Sequence, residues 1–469
     1  MTIGTLLYIG IVIYFFVKYK KIKYRYLSCL ALHIFTAINV EVGYFIKIGN
    51  TMIKYSWFTE AVMTMYSVII LIATRKKNIF KSYYLLFISI IVGIVGLILH
   101  PLNKKIVTSD FVIDRYWDGW SQLQFPSING NVINSLLHII TFIIIYACIT
   151  QIFNYDNYKL LLKKMAVWSK IVIVIGLIEI ILKDFLSSNY FQAVIEQIFG
   201  VNSNVLSSLE KRGTLYRLSG LTTEASHYSY ALFVTSIILM ANLCIEQINK
   251  IWLVFVVALL ILCRAFSSVL FLIALVIIAI VVRYKEYIKP LKKFINILLG
   301  VFTFVCVMLI IYNTKVFRNS YYGQRFTEIL NDSVLFIDIS QVRSYTYTST
   351  RIRLVSIIST LKLIVYRPLF GIGIGTTSSH GSFAAILSGM GIVGTLSWLK
   401  AIFFNDLKKQ FEIMNNAYCI LILIWCVVGL FASMFWGLIY NAGNYILALS
   451  FMVLCKKNTY YSFPLEVRE

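Results

Sequence analysis

The chain has 469 residues, of which 59% are hydrophobic and only 13% charged, a mixture that excludes an ordinary soluble globular domain. A formal net charge of +23 would point to nucleic acid in a soluble protein. Here apolar runs dominate, so membrane topology and anionic lipid explain the charge better, and no nucleic-acid partner is expected.

Apolar runs of membrane-spanning length, about 20 residues each, recur along the whole chain. Thirteen spans are expected, near 2–17, 27–46, 57–74, 83–99, 132–150, 165–182, 227–245, 251–263, 266–282, 294–312, 382–404, 418–436 and 438–454. The fold class is therefore all-α, a polytopic integral membrane protein whose residues 1–469 form a single transmembrane domain. No internal repeat, low-complexity linker or detachable domain is visible. The first apolar run has no basic residue before it, so a cleavable leader is not expected. The eight cysteines mostly fall within or at the ends of apolar spans and form no CxxC pair, which leaves little support for a disulfide framework or a zinc site.

Orientation follows from lysine and arginine in the short loops. Basic clusters at 18–25, 75–81, 159–164, 283–293 and 456–457 share one side if the N-terminus is outside. That side is cytoplasmic. The pair of spans near 251–282 is the point on which the topology turns, because one long helix there would invert everything after it. Three longer loops, near 100–131, 183–226 and 313–381, then face outward. The outer side carries Arg115, Arg212, Arg217, Arg264, Arg318, Arg325, Arg343, Arg351, Arg353 and Arg367, whereas the inner clusters are chiefly lysine. Topology needs only positive charge. A planar donor fork is favoured where phosphate or carboxylate must be held.

The first outer loop mixes Asp110, Asp114 and Asp118 with Trp117 and Trp120, which suits sugar binding, although tryptophan is common at any membrane interface. The second ends RGTLYRLSGLTTEASHYSYAL, residues 212–232. It compresses Arg217, Gly220, Glu224 and His227 into the approach to a span. If that span begins near Thr223, Glu224 and His227 share one helix face, and a carboxylate there is also favoured by the helix dipole. Arg264, in ILCRAFSSVL, sits between two short apolar helices beside Ser267 and Ser268. It could snorkel, or mark a dip where a phosphate rests.

The stretch 346–398 is the richest. Arg351, Arg353, Lys362 and Arg367 punctuate an apolar segment, followed by Pro368, Gly371, Gly373, Gly375 and His380. Such a segment can lie in the headgroup zone with its guanidinium groups at phosphate level. The glycines allow close backbone approach to a bound group, and His380 can take up a proton near neutral pH. Together these residues read as a grip on a lipid-linked phosphate. Glu41, Glu60 and Glu179 lie in or at the edges of spans, where charge is expensive unless paired or functional, and they could line a cavity or brace helices. His33 and His138 read as packing histidines. No HExxH, P-loop or dinucleotide fingerprint occurs in a suitable context, and no cytosolic segment could house a nucleotide-sugar domain. Neither a metal nor another cofactor is expected.

At three places the sequence resembles the O-antigen polymerase and O-antigen ligase superfamily of bacterial integral membrane glycosyltransferases. RLSGLTTEASHYSYAL resembles its Arg-x-x-Gly-x-x-x-Glu-x-Ser segment through Arg217, Gly220, Glu224 and Ser226, with Ala225 where many relatives have proline. CRAFSS, with Arg264, resembles a Ser-Arg-Ser/Thr-Gly turn, Cys263 replacing the serine and the glycine being absent. RPLFGIGIGTTSSHGSFAAILSGMGIVGTLSW resembles the Pro-x-x-Gly-x-Gly…His-Asn…Gly-(Ile/Val)-Gly signature through Pro368, Gly371, Gly373, His380, Gly391 and Gly394, with Gly381 in place of asparagine. The match covers roughly residues 205–400 in order.

The resemblance implies a C-type membrane glycosyltransferase-like fold with a cavity open to the outer face of the bacterial plasma membrane. It also implies donor and acceptor glycans on undecaprenyl diphosphate, and metal-independent transfer. In that setting Arg217, Arg264 and Arg351, helped by Arg353 and Arg367, would bind the diphosphate and stabilise its growing charge. His380, then Glu224, are the candidates for the base that deprotonates an acceptor hydroxyl. The expected activity is polymerisation of lipid-linked repeat units into a surface polysaccharide such as O-antigen of lipopolysaccharide or capsule. A chain-length regulator and a flippase are candidate partners. A ligase moving the glycan to a different acceptor is the alternative, and a flippase or transporter a more distant one, since the arginines gather on outer loops and not at the midplane.

Overall fold

A computed structural model describes residues 2–49, 51–74, 79–99, 130–152, 155–186, 188–200, 211–212, 215–222, 224–245, 250–263, 265, 267–269, 271–276, 324, 360–361, 363–376 and 382–402. The spans expected near 294–312, 418–436 and 438–454 lie outside the described residues, as does most of the loops 100–131 and 313–381.

The described chain is mostly helical. Its helices are α1 (Ile3–Lys18), α2 (Ile22–Asn39), α3 (Tyr55–Thr74), α4 (Ile79–Ile98), α5 (Gly130–Ile152), α6 (Tyr155–Ile180), α7 (Ser188–Phe199), α8 (Ala225–Ile245), α9 (Ile251–Leu262) and α10 (Ser382–Ile402). Two short antiparallel hairpins join them, β1 (Ile46–Ile48) with β2 (Thr51–Ile53) and β3 (Lys211–Arg212) with β4 (Leu215–Tyr216). Among the described residues, four helical stretches are long and apolar enough to cross a membrane: Tyr55–Thr74, Val132–Ile149, Lys159–Lys183 and Phe383–Ala401.

The bundle is organised around α2, which packs on α3 and α6, while α3 packs on α5, α6 on α8, α8 on α9, and α4 on α10. From Tyr26 to Ile38 every residue of α2 is buried, as expected of a helix enclosed on all sides. Peripheral helices are apolar on both faces. In α9, Val256, Leu259 and Leu260 turn inward, yet Ile251, Val254, Val257 and Ile261 are exposed. In α3 the exposed residues include Met65, Ile69 and Ile72. Water would demand a polar outer face on such helices; lipid chains would not.

The up-and-down path gives the bundle two distinct ends. At one, the Thr2 hydroxyl accepts the N–H of Thr5 (3.1 Å), capping α1, and lies 2.9 Å from the Tyr55 hydroxyl. Close by, the Tyr44 N–H donates to the carbonyl of Phe199 (3.2 Å). At the opposite end Lys164 donates to the Tyr19 hydroxyl (2.8 Å), with its ammonium 4.1 Å above the ring centroid. That hydrogen bond holds the Tyr19 phenol below the usual tyrosine range.

Three elements differ from expectation. The span predicted near 27–46 is displaced: α2 begins at Ile22 and stops at Asn39, because Glu41 and Val42 turn their N–H groups to the carbonyl of Leu221 (2.9 and 3.1 Å) instead of continuing the helix. Helix α6 starts ten residues ahead of the predicted span, so the lysines near 159–164 sit on the helix itself. The predicted outer loop 183–226 also contains structure. A widened, π-helical turn at Ile181–Leu186 ends α6, and α7 follows with Phe191 and Ile195 buried at i, i+4.

Candidate functional site

Glu179 and Lys183, one turn apart where α6 widens, form an ion pair with no exposure on either side chain and a 2.6 Å N–O distance. Desolvating two charges is costly unless their remaining hydrogen-bonding capacity is filled. Here it is filled by one loop. Glu179 Oε1 accepts the N–H (2.9 Å) and hydroxyl (3.1 Å) of Ser219, and Oε2 accepts the N–H of Gly220 (2.7 Å). Lys183 also donates to the carbonyl of Arg217 (3.2 Å). The RLSGLT segment is thus folded over a buried carboxylate.

Gly220 makes that turn possible. Its φ is +56°, and a β-carbon would stand 2.5 Å from the Tyr228 ring, so neither the conformation nor the space suits another residue. Thr222 closes the turn: its N–H donates to the Ser219 carbonyl (2.9 Å), and its hydroxyl lies 2.7 and 2.9 Å from the carbonyls of Ser219 and Glu224. Arg217 is half-buried at the start of this turn. The Cys263 thiol at the end of α9 is fully buried.

Beyond the turn, the Glu224 carbonyl accepts the N–H groups of His227 (3.1 Å) and Tyr228 (3.0 Å), starting α8. The Glu224 carboxylate accepts the Ser226 hydroxyl (3.0 Å). His227 reaches across to the loop after α2, its Nδ1 2.7 Å from Glu41 Oε2. Two residues further, the Ser229 hydroxyl lies 2.7 Å from the Ser267 hydroxyl, which ties α8 to the chain just beyond position 264.

The glycine run is held differently. Gly371, Gly373 and Gly375 all have positive φ, and the run docks on a break in α10, where Gly391 is non-helical (φ 64°, ψ −172°). A broken helix leaves backbone groups without their usual partners. Ile372 and Gly373 donate to the carbonyls of Ser388 (2.8 Å) and Gly389 (3.0 Å), while Ile392 and Val393 donate to those of Pro368 (2.8 Å) and Leu369 (3.3 Å). A β-carbon on Gly371 would meet Gly391 N and Ser388 O at 2.5 Å. On the other side, the backbone of Gly373 and Phe370 lies against Gly96 of α4. The close approach that these glycines allow is therefore to α4 and α10. Arg367 opens the loop half-buried, and its Nη1 is buried with no hydrogen-bond partner among the described residues.

Of the residues singled out from sequence, Arg217, Gly220, Glu224 and His227 are gathered in one pinned segment, and Arg367 with Gly371, Gly373 and Gly375 in another. Arg264, Arg351, Arg353 and His380 lie outside the described residues. Glu41, Glu60 and Glu179 each meet partners on another element. Glu179 and Glu41 hold the Arg217 segment, and Glu60 accepts from Thr141 and lies 2.8 Å from His138 Nδ1 between α3 and α5. Their one advance signal is the cost of a charge in an apolar span. Among the described residues no three His, Cys, Asp or Glu side chains converge as a metal site.

Comparison with protein-family models, curated proteins and solved structures finds no match to this chain.

Proposed function

We propose that this chain is an integral membrane glycosyltransferase that joins undecaprenyl-diphosphate-linked oligosaccharide repeat units into a surface polysaccharide. It would work at the outer face of the bacterial plasma membrane. The observation that carries this reading is the Arg217–Thr222 turn, whose backbone is fixed by a fully buried ion pair. A rigid loop presenting a guanidinium suits a diphosphate leaving group, because donors fixed in advance need no reorganisation as charge develops. Arg367, with a buried donor awaiting an acceptor, supports a second anion contact. The apolar outward faces of α3 and α9 support immersion in lipid. The Thr2 end is the outer one in this reading, since Lys164 and the lysines near residue 20 share the other.

In the reaction an acceptor sugar hydroxyl attacks the anomeric carbon of the donor, and the diphosphate departs with the bonding electron pair. Arg217, Arg264 and Arg351 meet its growing charge, with Arg353 and Arg367 assisting. His380 and Glu224 are the sequence's candidates for the proton acceptor. The test supplies purified protein in detergent with lipid-linked repeat units and no nucleotide sugar. A ladder of lipid-linked products is the expected result. Transfer of single glycans to another acceptor without a ladder would indicate a ligase instead. Passage of the lipid-linked unit across vesicles without any transfer would overturn the enzymatic reading.

A further inference from the structure

We propose that Lys18, Arg25 and Lys164 form a binding site for the phosphate headgroup of an anionic phospholipid, built around Tyr19. The site lies at the end of the bundle opposite Thr2, which the proposed orientation makes cytoplasmic. It rests on immersion in lipid and is independent of the reaction proposed above.

Three elements bring a cation to one residue. Lys18 ends α1, and its ammonium lies 5.7 Å from the centroid of the Tyr19 ring. Lys164, from α6, stands 4.1 Å from the same centroid and donates to the Tyr19 hydroxyl (2.8 Å). Arg25, near the start of α2, donates from Nε to the Tyr19 carbonyl, with its guanidinium 5.3 Å from the Phe16 ring centroid. The two ammoniums are thus within about 10 Å of each other, a separation at which charges still repel in 0.1 M salt. Lys20 and Lys21, both exposed in the turn between α1 and α2, add to the field. No aspartate or glutamate precedes Glu41 in the chain. Among the described residues none of the three cations meets a carboxylate.

Simpler accounts cover only part of this. The helix dipole favours Lys18 at the C-terminus of α1 but opposes Arg25 near the N-terminus of α2. Orientation across a membrane needs positive charge on one side, which lysines splayed into water would supply without converging. A shared anion offsets the repulsion and takes up donors that Tyr19 leaves over, since an ammonium carries three and a guanidinium five. The surroundings select a lipid over a free anion. Val17, beside Lys18, is 79% exposed, and Ile13, Ile22, Tyr14 and Tyr24 are exposed as well. An acyl chain can lie along these side chains while its phosphate meets the cations, whereas inorganic phosphate gains nothing from them.

In the test, full-length protein in neutral detergent is titrated with phosphatidylglycerol, phosphatidylcholine of the same chains, or inorganic phosphate. Binding is read as lipid retained in native mass spectrometry and as a rise in melting temperature. Phosphatidylglycerol is expected to bind at least about tenfold more tightly than phosphatidylcholine. K18Q and K164Q should each weaken it about fivefold and K18Q/R25Q/K164Q about 10²-fold. K54Q, at the Thr2 end, should leave it unchanged. Equal binding of the two lipids overturns the site. So does a loss in K54Q as large as in K18Q, which would make the effect one of overall charge. Stabilisation by inorganic phosphate equal to that by phosphatidylglycerol overturns the lipid assignment in favour of a soluble anion. If the triple variant does not fold, K18Q decides alone because that side chain is exposed, and wild-type affinity in K18Q overturns the proposal.

Discussion

The Arg217 turn and the Gly371 loop are both irregular segments packed among helices, but they are secured by opposite means. The first is held by side-chain charge: a carboxylate and an ammonium with no exposure collect the N–H groups of Ser219 and Gly220 and the carbonyl of Arg217. The second is held by backbone alone, laid into the break at Gly391 so that loop and helix exchange the partners each lacks. A charge-held loop can be released by changing one distant side chain. A backbone-held loop is insensitive to side-chain chemistry and intolerant of side-chain volume. The difference leaves a charge-anchored turn at one site and a backbone-sealed junction at the other.

The largest expected effect breaks the charged anchor. E179A strands the Lys183 ammonium and two N–H groups in the interior, and should cost about 3–5 kcal/mol, read as loss of folded protein in detergent melting. E179L/K183M removes both charges and should recover only part of that, because Ser219 and Gly220 still lack an acceptor. Full recovery would show that the pair, and not the loop it holds, carries the energy. G371A tests the other region. Positive φ and a β-carbon 2.5 Å from backbone atoms should cost about 2–3 kcal/mol, whereas conservative changes to the exposed Leu369 side chain should leave the melting temperature unchanged. R217K keeps the charge but loses the fork. It should slow ladder formation about tenfold to a hundredfold with little change in melting temperature; a normal rate would remove Arg217 from the diphosphate site. The smallest effect is S229A, which deletes the 2.7 Å hydroxyl contact to Ser267 and should cost about 1 kcal/mol.

How far the chain could be read from its letters differs element by element. The helices at 55–74, 130–152, 225–245 and 382–402 fall close to the predicted spans, since a long apolar run states its own conformation locally. Helix α7 lies inside the expected loop 183–226: Phe191, Val194, Ile195 and Ile198 carry a helical period, but its 12 residues fall below spanning length. Glu41, Glu60 and Glu179 were conspicuous as charges, but nothing local names their partners.

Where the chain is apolar enough to be helical, which loops concentrate arginine and where glycine permits a tight backbone are all legible in the letters. That Glu179 grips Gly220 across 41 positions and Glu41 meets His227 across 186 comes from the packing of the helices. Hydropathy and conformational preference are properties of a few neighbouring residues. The partner of a charge removed from water is whatever distant group the packing brings within 3 Å or so, and that is set when helices assemble.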